Sequence, residues 1–114
     1  MGNELPPPLP TGVERRTSER VAARIDVRFH EPEQAARALR AYSLNLSVGG
    51  LCLKTRNKYE VGSVLQLSMT VDDHEYQLKG RVAWEHSGAI GVRFEELDVK
   101  DRERLGELVA RFKR

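Results

Sequence analysis

The sequence predicts an all-β fold with one C-terminal α-helix, arranged as a six-stranded antiparallel β-barrel. Apolar and polar residues alternate strictly after residue 20, which is typical of a half-buried strand. Short turn signals separate the apolar runs that follow, so neighbouring strands are expected to pair antiparallel. Closing the sheet into a barrel removes its exposed edges, and the helix can cover the opening that remains.

The first strand is expected to begin at Val21 and to continue to His30, because every second side chain in this stretch is apolar. Runs rich in β-branched and aromatic residues predict five further strands. These are Leu39 to Leu46, Leu51 to Thr55, Val64 to Val71, Tyr76 to His86 and Ala89 to Phe94. Breaks between them are expected at 61–63, 72–73 and 87–88, where glycine, serine or paired aspartates occur.

The last part of the chain predicts one amphipathic helix over residues 98–113. Apolar residues recur there at helical spacing: Leu105, Leu108, Val109 and Phe112. Acidic residues precede this stripe and basic residues follow it, which suits the dipole of a helix. The stripe is expected to cover the barrel, although pairing with a second copy of the chain is an alternative use of it.

Length and composition predict one soluble domain. The chain has 114 residues, 32% of them charged, with a net charge of +2. Cys52 is the only cysteine, which excludes an intramolecular disulfide and fits a reducing compartment. We expect a flexible proline-rich tail at 1–13 and a domain at 14–114, divided into an arginine segment at 14–20, a barrel at 21–96 and a helix at 98–113. With no signal-peptide or membrane-spanning run, the expected location is the cytoplasm.

An arginine motif precedes the first strand. Arg15, Arg16 and Arg20 lie within the sequence ERRTSER. A guanidinium group is planar and can donate two hydrogen bonds at once to a phosphate or to the edge of a guanine. This motif therefore predicts a site for an anionic ligand. The alternative is a solvated linker in which Glu14 and Glu19 neutralise the arginines.

A second polar motif, NLSVGG, ends the second predicted strand. Asn45 and Ser47 lie two residues apart and are expected to share a face, while Leu46 points towards the core. Gly49 and Gly50 permit a positive φ angle and leave room for a ligand to approach the backbone. The alternative is an ordinary β-turn, in which asparagine, serine and glycine are common.

Together, in this order, the two motifs resemble the PilZ domain family, receptors for the bacterial second messenger cyclic di-GMP. The family signature is R-x-x-x-R followed by [D/N]-x-S-x-x-G, which Arg16 to Arg20 and Asn45 to Gly50 match. The sequence Gly91-Val92-Arg93-Phe94 is similar to the family's segment before its final helix. The resemblance extends from Glu14 to the end of the chain and implies a PilZ-like barrel.

The resemblance also implies the site and its partners. The arginines would hold phosphates and guanine edges, Asn45 and Ser47 would hydrogen-bond a guanine and its neighbouring backbone, and Gly50 would keep the floor of the site clear. In the family, an arginine at the position of Arg15 accompanies an intercalated dimer of the ligand. The expected partners are cyclic di-GMP and an effector protein, and the expected oligomeric state is a monomer or weak homodimer. No cofactor is expected.

Other classes of function have less support in the sequence. A ligand-independent PilZ-like adaptor is the first alternative, and a small-barrel nucleic-acid-binding module is the second. Nucleic acid is not expected as a partner, since aromatic residues make up only 6% of the chain. A membrane is not expected either, because no apolar run is long enough to span a bilayer. Three scattered histidines (His30, His74 and His86) lack metal-ligand spacing, and no nucleophile is paired with a base, so neither a metal site nor an enzyme is expected.

Trp84 is the only tryptophan of the chain. It lies two residues after Val82 and two before His86, so the period of a regular strand assigns all three to one face. Packing in the core is the favoured role for it, and stacking beside a ligand is the alternative. Cys52, between Leu51 and Leu53, is expected to be a small buried side chain.

Overall fold

The computed structural model describes residues 20–33 and 38–113 of the chain. In chain order its elements are β1 (Val21–Ala22), β2 (Asp26–His30), β3 (Leu39–Leu46), β4 (Gly50–Lys54), β5 (Val64–Val71), β6 (His74–His86), β7 (Ala89–Glu95) and α1 (Val99–Phe112). Strands β3, β2, β5, β6, β7 and β4 are neighbours in that order, and β4 pairs back with β3. All these pairs are antiparallel, which confirms the predicted six-stranded barrel and its C-terminal helix.

Two predicted features at the start of the chain have different outcomes. The tail at 1–13 and most of the arginine segment at 14–20 lie outside the described residues. The first strand is described, but it is split into β1 and β2 by residues 23–25, whereas the alternating pattern predicted one continuous strand. Both parts still run antiparallel to β3, so they occupy one strand position of the barrel.

The buried side chain of Ser43 explains why this split is tolerated. Its hydroxyl on β3 donates to the carbonyl of Ala23 and accepts a hydrogen bond of 2.9 Å from the Ile25 amide. The Ser43 amide in turn donates to the Ile25 carbonyl at 2.9 Å. Ser43 therefore satisfies backbone groups of Ala23 and Ile25 that a regular ladder would otherwise pair.

We expect the substitution Ser43→Ala to lower the free energy of unfolding by about 1–3 kcal/mol. It leaves the buried Ile25 amide and the buried Ala23 carbonyl without the hydrogen bonds that the hydroxyl makes. Urea denaturation followed by tryptophan fluorescence measures this loss. The control is Ser68→Ala, since the hydroxyl of Ser68 bonds only exposed side chains. Equal stability of the two variants would contradict the bridging role of Ser43.

Side chains alternating along the strands fill the barrel, and α1 packs against one part of it. The helix buries three members of the predicted stripe, Leu105, Leu108 and Val109. Phe112, in the last turn, stays 36% exposed. The carboxylate of Asp98 caps the N-terminus by accepting from the Asp101 amide at 2.7 Å, which fixes where the helix begins.

Candidate functional site

A shallow depression on the outside of the barrel gathers most of the described motif residues. It is lined by Arg20, Asn45, Ser47, Gly50, Leu51, Cys52, Trp84, Gly91 and Val92. Four adjacent strands contribute to it, because Asn45 on β3 is paired with Cys52 on β4, Cys52 with Gly91 on β7, and Gly91 with Trp84 on β6. Side chains on either side of this row, such as Leu53 and Ile90, are fully buried in the core.

Arg20 lies at this depression because it directly precedes the short strand β1. Val21 pairs with Leu46 and Ala22 with Asn45, so the residue before β1 lies beside the residue after β3, which is Ser47. The Arg20 side chain is exposed and forms no ion pair with any described residue. Its guanidinium is therefore free, within the described part of the chain, to bind a ligand.

The charge of Arg20 also affects the pKa of the Cys52 thiol. Burial raises the pKa of the Cys52 thiol, and the positive charge of Arg20 offsets part of that rise by favouring the thiolate. The thiol is buried and lies in the wall of the depression, as its predicted place in a strand suggested. A free guanidinium beside a neutral thiol gives the site a net positive character.

Ser47 shapes the backbone turn between β3 and β4. Its buried hydroxyl accepts hydrogen bonds from the amides of Gly49 and Gly50, each at 3.1 Å, and donates to the Gly50 carbonyl at 3.2 Å. The Ser47 amide bonds the same carbonyl at 2.8 Å. The donor and both acceptor positions of the hydroxyl are thus occupied by the turn, so its contribution to the site is to the shape of the backbone.

Neither glycine of the motif has a positive φ angle, contrary to the reason that the sequence suggested for them. Gly50 is required by space, because a Cβ atom there would lie 2.2 Å from the Val92 carbonyl oxygen of β7. Gly49 is tied into the same turn, since its carbonyl accepts a hydrogen bond of 2.9 Å from the Phe94 amide. Close approach of β4 to β7 therefore explains the glycine at position 50.

Asn45 remains available to a ligand. Its side chain is half-buried at the wall of the depression and makes no hydrogen bond with another described residue. A primary amide offers two donors and an acceptor, which matches the edge of a nucleobase. The structure thus brings Arg20, Asn45, Ser47 and Gly50 together, with Gly49 in the adjoining turn, while Arg15 and Arg16 lie outside the described residues.

Trp84 belongs to this depression and not to the core, so the favoured sequence interpretation was wrong. The β6–β7 register shifts between Val82 and Trp84, and this bulge moves Trp84 away from the face that Val82 occupies. The indole lies over Gly91, where a Cβ atom would be 2.1 Å from Nε1. Nε1 is buried and has no hydrogen-bond partner among the described residues. A glycine inside the last strand was the sequence signal for such a close approach.

The described residues also bear on metal sites and on membrane-spanning helices. Across residues 20–33 and 38–113, no group of three or more histidine, cysteine or acidic residues could hold a metal ion. No helix in the same ranges is long and apolar enough to cross a membrane. What the depression offers chemically is a guanidinium, a free amide, the aromatic side chain of Trp84 and a tightly held backbone turn.

The chain is similar to known proteins in family and in fold. A model of the PilZ domain family matches residues 14–111. The PilZ domain of CeSA from a cellulose-synthesizing bacterium is 19% identical, with a TM-score of 0.69 over 82% of this chain and 96% of that one. The PilZ domain of YcgR from Escherichia coli, solved with c-di-GMP, is 12% identical, with a TM-score of 0.69 over 86% and 91%.

A third similar structure belongs to a larger protein. The Bacillus subtilis inhibitor of motility (MotI/DgrA) is 21% identical, with a TM-score of 0.70 over 85% of this chain. The match covers 50% of that protein, so this chain spans about half its length. At these identities the likeness is one of fold. No curated protein sequence matches the chain.

Proposed function

The chain belongs to the PilZ domain family, and we propose that it is a non-enzymatic cytoplasmic receptor for cyclic di-GMP that signals to a partner protein. One observation carries this proposal: pairing of β1 with β3 holds the free guanidinium of Arg20 beside the free amide of Asn45. Both groups belong to the family's ligand-binding signature. The YcgR domain of the same fold was solved with c-di-GMP, which supports this choice of ligand.

Each part of the depression matches a part of the ligand. Cyclic di-GMP carries two phosphates and two guanines, and arginine donates bidentately to either group. In this proposal Arg16 and Arg20 bind phosphates and guanine edges, while Asn45 bonds a guanine. Trp84 presents an aromatic surface for stacking. The hydrogen bonds of Ser47 hold the turn between β3 and β4 in a compact shape, which lets the ligand come close to its backbone.

Binding also provides a route to signalling. The arginine segment 14–20 precedes β1, and closing it over the ligand makes charge-assisted hydrogen bonds that offset the entropy lost on ordering. The ligand then favours the closed arrangement by the difference between its affinities for the closed and open states. Residues 14–20 in the closed arrangement form the surface that the partner protein recognises.

Arg15 is the basis for the proposed number of ligand molecules bound by each chain. It adds a third guanidinium directly before Arg16, so the segment has one guanidinium more than one ligand molecule has phosphates. Together with the family resemblance, this favours an intercalated ligand dimer on each chain.

Isothermal titration calorimetry of the purified chain tests the proposal. Cyclic di-GMP is expected to bind at micromolar concentration or more tightly, with two molecules per chain, and GTP is expected to give no measurable heat. A stoichiometry of one would overturn the ligand dimer and leave the receptor intact. An absence of binding to protein shown to be folded by circular dichroism would overturn the receptor itself.

A further inference from the structure

A second groove lies at the other end of β3, away from the depression. It has a volume of 610 Å³ and is lined by Leu39, Arg40, Ala41, Tyr42, Lys54, Thr55, Arg56, Asn57 and Gly88. Arg40 precedes Asn45 by five residues, which is roughly 16 Å along a strand. The two sites share no lining residue, so the groove is distinct from the proposed ligand site.

The groove exists because β3 is longer than the strand beside it. Pairing of β3 with β4 ends at Tyr42 and Lys54, although β3 continues back to Leu39 along β2. After Lys54 the chain turns towards β7, and the Thr55 amide donates to the Gly88 carbonyl at 2.9 Å. Within the strand pairings of the described residues, 39–41 therefore have one edge without a neighbour, which is a place where another strand can add.

Positive charge surrounds this free edge. Arg40, Lys54 and Arg56 are exposed lining residues, and no carboxylate from the described part of the chain lines the groove. Arg28 lies directly across from Arg40 on β2, and like charges in that arrangement are unfavourable. None of these four cations forms an ion pair with a residue in the described ranges.

Neighbouring side chains of the described residues do not pair with the positive charge of the groove. Asp26 lies opposite Tyr42 on β2 but makes no ion pair with a described residue. The Tyr42 ring is already covered by the Arg24 guanidinium, 3.9 Å from the ring centroid. The face of the ring that Arg24 covers cannot stack a nucleobase, while Leu39 and Ala41 provide a partly buried apolar floor.

From the free edge, the charge and the apolar floor, we infer that this groove binds an acidic, extended segment of a partner protein. The segment adds to the edge of β3 at 39–41 through its backbone. Its carboxylates pair with Arg40, Lys54 and Arg56, and its alternate apolar side chains lie on Leu39 and Ala41. This docking does not require cyclic di-GMP, so it can hold or fail independently of the receptor proposal.

Fluorescence anisotropy with a fluorescein-labelled peptide of alternating glutamate and valine tests the inference, with and without cyclic di-GMP. The variant Arg40→Glu, Arg56→Glu is expected to weaken binding about tenfold or more, because two charge-assisted contacts become repulsive. The matched control Lys100→Glu, Arg102→Glu changes the same charge on exposed positions of α1 and is expected to weaken binding less than about twofold. Thermal melting verifies that both variants fold.

Hydrogen exchange then distinguishes strand addition from simple charge attraction. Amides within 39–41 are expected to exchange more slowly in the peptide complex, because their free edge becomes paired. The same peptide with glutamine in place of glutamate is expected to bind at least about tenfold more weakly. Three results would each overturn the inference: no binding of the acidic peptide, equal losses in the two charge-reversal variants, or unchanged exchange at 39–41. Preferential binding of single-stranded DNA over the peptide would also overturn it.

Discussion

The substitution Arg20→Ala is expected to weaken binding of cyclic di-GMP by about 100-fold while leaving the stability of the barrel unchanged. A bidentate guanidinium contact to an anionic group contributes about 2–4 kcal/mol, and each 1.4 kcal/mol is about tenfold in affinity. Arg20 is exposed and has no ion pair with the described residues, so its removal costs the fold little. Calorimetry of the variant measures the loss.

Two further variants separate charge from geometry. Arg20→Lys keeps the positive charge but lacks the planar fork, so we expect an affinity between those of the wild type and the alanine variant. Arg102→Ala removes an equal charge from the exposed face of α1 and is expected to bind like the wild type. Equal affinities of Arg20→Ala and Arg102→Ala would show that Arg20 does not contact the ligand.

The barrel was predictable because its strands are regular over most of their length. Side chains alternate along β5 as in an ideal strand, and the structure gives both β3 and β5 the predicted bounds, Leu39–Leu46 and Val64–Val71. The split between β1 and β2 was not predictable, because alternation continues through residues 23–25. What compensates that split is a hydroxyl on a different strand, Ser43, and sequence periodicity carries no information about such a contact.

The site was predictable in composition but not in the role of each residue. Arg20, Asn45, Ser47 and Gly50 were expected together, and the structure brings them into one depression. Trp84 was assigned to the wrong face, because a bulge changes which side chains share a face without changing the apparent pattern.

Gly50 was expected for its conformational freedom and for the room it leaves a ligand, whereas the structure shows a steric limit set by a neighbouring strand. The contact that sets this limit is with the carbonyl oxygen of Val92, which is far from Gly50 along the chain and belongs to a different strand. Local patterns cannot report contacts between strands so far apart in sequence. The motif therefore predicted the glycine, but not the contact between strands that requires it.

The substitution Gly50→Ala is expected to lower the free energy of unfolding by about 3 kcal/mol. The added Cβ would lie 2.2 Å from the Val92 carbonyl oxygen and 3.2 Å from the Arg93 Cα, both of them backbone atoms. Backbone cannot yield by rotating a side chain, so β4 must move away from β7, which weakens their ladder and the turn held by Ser47. Urea denaturation measures the loss of stability.

The same change elsewhere in the chain should have the opposite sign. At Gly106, inside α1, an added Cβ meets nothing within 4 Å, so Gly106→Ala is expected to stabilise the protein by about 0.5–1 kcal/mol through helix propensity. Comparing the two variants separates steric conflict from the general effect of replacing glycine, because both add one methyl group. If Gly50→Ala were as stable as the wild type, the close approach of β4 to β7 could not be the reason for glycine at that position.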